Sequence, residues 1–177
     1  MHPVPNTAAP TGDISPSHRK TGVRIGHVNL KVADLDRALA FYQNALGLNV
    51  TKRIGNAAAF LAYDSYHHDI CINTWESSGG PPPAPGTTGL YHFAILYPTR
   101  PELGQALQRL RAAGVQIDSA VDHGVGESLY LRDPDGNGVE LYWDRHPDSW
   151  HGSAGELTMG HRPIDPDDIL HPTDTAK

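Results

Sequence analysis

One order of elements, strand, helix, three strands, occurs twice in this chain, and an internal repeat limits the possible folds more than any single motif. RIGHVNLKV (24–32) alternates, with Val28, Leu30 and Val32 on one face and His27, Asn29 and Lys31 on the other. ADLDRALAFYQNALGL (33–48) then sets Leu35, Leu39, Tyr42 and Leu46 at helical spacing, with Asp34 placed to cap the start and Gly47 the end. Strands are expected near Leu48–Ile54, at AAFLAY (58–63) and at HHDICINTW (67–75). After a break the order returns. LYHFAILY (90–97) sets Phe93 and Ile95 against His92, Ala94 and Leu96, and PELGQALQRLRAAG (101–114) carries the stripe Leu103, Leu107 and Leu110. Strands at 115–117, 128–133 and 138–144 follow. The strand-opening histidines lie 65 residues apart and the helix-ending glycines 67 apart.

The repeat predicts an α+β fold of two tandem βαβββ modules, each with a helix on one sheet face. The other faces should form a curved, cup-like mixed sheet around a shared centre, with the helices outside. The expected organisation is an N-terminal arm at 1–21, a first module at 22–75, a linker at 76–89, a second module at 90–146 and a polar tail at 147–177. The arm is rich in Pro, Thr and Ser without periodicity, so it is expected to be disordered. The linker, ESSGGPPPAPGTTG, suits neither a helix nor a central strand. In the tail, Asp165–Leu170 reads as one helical turn packing back near the pocket.

Charge and cysteine content remove several classes of function. A net charge of −6 without a basic cluster argues against nucleic acid or an anionic membrane as partner. No apolar run approaches the roughly 20 residues of a membrane span, and the N-terminus has no apolar signal core. With Cys71 alone, no intrachain disulfide forms, which fits a reducing, cytoplasmic setting.

The stretch LYLRDPDGNGVELYWD (129–144) brings chemistry onto this frame. Its Asp133–Gly138 centre is a tight hairpin turn, which alone says nothing about function. The strand after it alternates Val139, Leu141 and Trp143 with Glu140, Tyr142 and Asp144. A carboxylate there must be exposed, paired or bound to a cation. By the same alternation His27, His92 and Glu140 all point away from the helices. Two imidazoles and one carboxylate facing one cavity suit an octahedral Fe(II) or Mn(II) with open positions. The repeat counterpart of Glu140 falls within 70–72 and is read as offering no ligand. A lone strand histidine is more often a hydrogen-bonded structural residue than a ligand; the agreement of three in position and face carries the reading. Trp75 and Trp143 read as packing residues, Arg132 with Asp133 as a surface pair, and His2, His18, His161 and His171 as solvated.

GHVNLKVADLDRALAFYQNALGL, LYHFAI and LYLRDPDGNGVELYWD resemble the vicinal-oxygen-chelate superfamily and, within it, the type I extradiol dioxygenases, over about residues 23–146. The resemblance implies non-haem Fe(II) held by His27, His92 and Glu140, with a catechol-type aromatic diol and O2 as substrates. It also implies an inner-face tyrosine ten residues before the carboxylate, which is Tyr130, and an acid/base histidine, matched by His123 of the His123-Gly124 pair. A further acid/base histidine is matched by His68, preferred over His67 because alternation puts it on the face of Ile70. Better-known members carry two module pairs where this chain has one, so the pocket is either more open or completed by a second subunit, and a homo-oligomer is expected. Two other readings share the scaffold. Fosfomycin-resistance thiol transferases use a similar triad, usually with Mn(II), but tend to have Thr where this chain has Asn29. Glyoxalases want a fourth ligand, where this chain offers isoleucine. A metal-free binding protein like those for bleomycin would make all three ligands incidental.

Overall fold

The computed structural model describes residues 24–171. The expected N-terminal arm and the histidines His2 and His18 lie outside the described residues.

Both modules form, in the order that the repeat predicts. The first consists of β1 (Val28–Lys31), α1 (Leu35–Leu39), β2 (Asn49–Ile54), β3 (Ala58–Ala62) and β4 (Ile70–Asn73). Asp34 caps α1 by accepting from the Arg37 N–H at 2.9 Å, and α1 then widens into a π-type turn over Ala40–Ala45. The second consists of β5 (Phe93–Tyr97), α2 (Arg100–Ala112), β6 (Ile117–Asp122), β7 (Gly126–Arg132) and β8 (Gly138–Asp144). The stripes Leu35, Leu39, Tyr42, Leu46 and Leu103, Leu107, Leu110 are all buried. In both modules the first strand runs parallel to the last and lies beside it.

In one chain the strands make two mixed sheets and not a single curved one. Their orders are β1-β4-β3-β2 and β5-β8-β7-β6-β9, the last being a short strand, β9 (Arg162–Pro163), from the tail. β1 and β5 are therefore both edge strands, and they do not pair with each other. The modules meet through their helix sides instead, where one apolar cluster runs from Leu30, Leu39 and Tyr42 to Leu103, Leu107, Leu129 and Leu141. The second module's helix touches the π-type turn that follows α1 within this cluster. Polar contacts fix the junction. The Tyr42 hydroxyl donates to Asp133 Oδ2 at 2.8 Å, the Ala33 N–H to Asp135 Oδ1 at 2.9 Å, and Arg37 pairs with Asp135. Asp133 is fully engaged, since the Asp135 and Asn137 N–H groups and the Asn137 amide also donate to it.

Three local expectations change. Arg132 pairs with Asp118 and not with Asp133, which is buried under Tyr42. Trp75 is exposed rather than packed. The turn Pro166–Leu170 forms, but it docks on α2: Ile169 is buried and its carbonyl lies against Gly104.

Candidate metal centre

The second module assembles the denser half of the site. β5 and β8 run in register with Ala94 opposite Glu140, which leaves Gly138 opposite the start of β5. A Cβ on Gly138 would lie 2.2 Å from the Tyr91 carbonyl and 3.0 Å from the His92 Cβ, so only glycine lets β8 approach this closely. The close approach brings His92 Nε2 to 3.0 Å from Glu140 Oε2. Two donors bound to one octahedral ion at about 2.1 Å and at right angles stand about 3.0 Å apart, so the pair has the spacing of adjacent ligands.

Behind the carboxylate runs a chain of hydrogen bonds. Tyr130 sits opposite Glu140 on β7, and its hydroxyl donates to Oε1 at 2.9 Å. His123 Nε2 lies 2.8 Å from the same hydroxyl, and His123 Nδ1 lies 2.8 Å from the Gly160 carbonyl. Burial, and then the hydrogen bond to and charge of Glu140, push the Tyr130 pKa up to about 12. Tyr130 therefore remains a phenol at neutral pH.

The first module holds the other half. His27 is exposed, just before β1, and its ring centroid lies 4.3 Å from that of His68. His68 Nδ1 lies 2.6 Å from His67 Nδ1, and His68 also meets Phe60 edge-on. Burial first, then the imidazoles of His27 and His67, lower the His68 pKa, against the pull of Asp69. The alternation argument for His68 does not apply, because β4 begins only at Ile70, whose side chain faces the helices. Among the described residues no three His, Cys, Asp or Glu side chains gather where one ion could bind. One chain thus brings His92, Glu140, Tyr130 and His123 together and leaves His27 and His68 as a separate pair.

Two further residues emerge only from the fold. Asn29 stands opposite Cys71 as Ala94 stands opposite Glu140, so the repeat counterpart of Glu140 is Cys71, a buried thiol, and not an isoleucine. His161, expected to be solvated, meets His123 edge-on with ring centroids 5.8 Å apart and lines a cavity of about 390 Å³ with His92, Tyr91, Tyr130 and Arg132.

Residues 24–141 match the Glyoxalase/Bleomycin resistance protein/Dioxygenase superfamily. The chain is 40% identical over 147 residues to catechol-2,3-dioxygenase of Bacillus subtilis (strain 168), covering 82% of this chain and 50% of that protein. It is 37% identical over 121 residues to biphenyl-2,3-diol 1,2-dioxygenase 3 of Rhodococcus globerulus, covering 68% and 63%. The chain therefore spans half to under two thirds of the length of these relatives. The solved structure of a glyoxylase/bleomycin resistance protein/dioxygenase domain from Frankia sp. EAN1pec superposes with a TM-score of 0.60 at 23% identity, covering 71% of this chain and all of that domain, which shows the shared fold. On its paired βαβββ modules and on the match of two thirds of its length, the chain belongs to the glyoxalase/bleomycin resistance protein/dioxygenase superfamily.

Proposed function

We propose that this chain is an extradiol ring-cleaving dioxygenase that uses Fe(II) and O2 on a catechol-type diol, and that it works as a homodimer. The contact chain His123–Tyr130–Glu140–His92 carries the reading: a donor pair at ligand spacing, backed by a phenol and an imidazole. The similarity to catechol and biphenyl-diol dioxygenases supports the substrate class.

His92 and Glu140 would hold the metal, with His27 of a second copy as the third ligand, because both histidines stand just before edge strands whose outer edges are unpaired among the described residues. Bound there, ferrous iron would supply open positions for both diol oxygens and for O2. Tyr130, protonated at neutral pH, donates a hydrogen bond toward charge that develops beside Glu140. His123 stands behind it, ready to exchange a proton with that phenol. His68, which travels with His27, would face the same centre from the other copy and take the first diol proton as a neutral imidazole.

The test is reconstitution with Fe(II) under anaerobic conditions, followed by addition of catechols and air. O2 uptake with a yellow ring-opened product is expected. No uptake across a panel of alkyl-, aryl- and carboxy-substituted catechols would overturn the dioxygenase reading. Mn(II) in place of iron, with uptake retained, would change the metal and keep the reaction.

A further inference from the structure

The tail beyond residue 141 lies outside the family match, yet it returns to the site. The Trp150 carbonyl takes the Thr158 N–H at 2.8 Å, the Gly160 N–H donates to the His123 carbonyl at 2.8 Å, and β9 pairs with β6 through Val121 and Asp122. Arg162 on β9 pairs with Asp122, which Arg145 also holds. Gly124, next to His123, passes so close under the tail that a Cβ there would lie 2.3 Å from the Thr158 carbonyl. Residues 158–162 thus form a strap pinned over the His123 loop from both sides.

We propose that this strap is a positioning element for His123: the Gly160 carbonyl fixes the imidazole as its Nδ1–H tautomer, and His161 walls the cavity beside Tyr130. The tautomer follows from chemistry. A carbonyl oxygen only accepts, so the 2.8 Å contact to Gly160 requires a proton on Nδ1. In the neutral ring Nε2 then keeps its lone pair and faces the Tyr130 hydroxyl at 2.8 Å. The one phenolic proton has two acceptors, Glu140 Oε1 and His123 Nε2. A carboxylate whose charge is drawn to a cation accepts less strongly, and the phenol then turns to His123. Without the strap the ring would rotate or change tautomer, and Nε2–H would oppose that turn. His161 adds an edge contact to His123 and a boundary to the cavity that His92 and Tyr130 line.

The catalytic meaning rests on the dioxygenase reading, but the positioning does not, so the first measurement needs no turnover. In the full-length, histidine-¹⁵N-labelled chain, long-range ¹H–¹⁵N correlation should show His123 as a single Nδ1–H tautomer. A Nε2–H tautomer, or an averaged signal like that of a solvated imidazole, overturns the proposal even if the protein cleaves catechols. Gly160→Pro removes the N–H bond to His123 and sets the ring Cδ against the His123 carbonyl, while its Cβ meets open space. It should shift His123 toward a tautomer mixture and lower kcat about tenfold, with KM within twofold; an unchanged tautomer and kcat would count against the strap. Should that variant fold poorly, His161→Ala leaves the backbone intact. Its expected signature is a severalfold rise in KM that His161→Phe reverses, and an unchanged KM removes the wall.

Discussion

Tyr130 is the residue on which most of the proposed chemistry turns. Its hydroxyl bridges Glu140 and His123, and burial together with Glu140 keeps it protonated. Tyr130→Phe keeps the ring and removes the bridge, so kcat should fall on the order of 10²-fold while metal content, measured by atomic absorption, stays constant. Tyr42 tests a structural bond of similar form. Tyr42→Phe leaves Asp133 buried and short of one donor, and a loss of about 1–3 kcal/mol is expected in urea unfolding, with little change in kcat. Asp122 sets an acid limit. Burial alone would raise its pKa, but hydrogen bonds from Arg145, the Gly124 N–H and Arg162 together hold it down to about 2. A carboxylate depressed in the folded state stabilises the protein above its ordinary pKa of 3.8, and that contribution disappears as pH falls toward 2. The stability difference between the wild type and Asp122→Asn should therefore shrink between pH 4 and pH 2.

At the scale of elements, the parallel pair β5/β8 makes the donor pair, and Gly138 is what lets the strands approach. Gly138→Ala should push His92 away from Glu140 and weaken metal binding tenfold or more in a competition titration, while the circular dichroism of the α+β fold persists. These strands could be read from the sequence because periodicity is local: β8 falls at 138–144 as expected, and both leucine stripes are buried. What escaped reading was non-local. β6 runs on from the expected strand at 115–117 to Asp122, whose carboxylate is matched by arginines 23 and 40 residues later, a pairing that local periodicity does not report. The place of Cys71 opposite Asn29 depends on the strand pairing, which sequence alternation does not give. The strap looked like a polar tail because its bonds to His123 run through the backbone atoms of Gly160, on which no side-chain pattern reports.

For the whole molecule, the modules join at Tyr42, Asp133 and Asp135, and among the described residues no three donor side chains gather where one ion could bind. A dimer that exchanges donors makes a sharp prediction. His27→Ala and Glu140→Ala should each lose activity alone. Mixed one to one and allowed to exchange, they should regain about a quarter of the wild-type rate, since half the dimers are mixed and each restores one of two centres. No recovery after verified exchange would favour a site built within one chain. The isolation of His27 has a practical corollary. If every centre borrows one imidazole from another polypeptide, its affinity for the ion obeys mass action in the protein itself. Simple dilution would then strip the metal as a chelator does, and concentrating the protein would restore it.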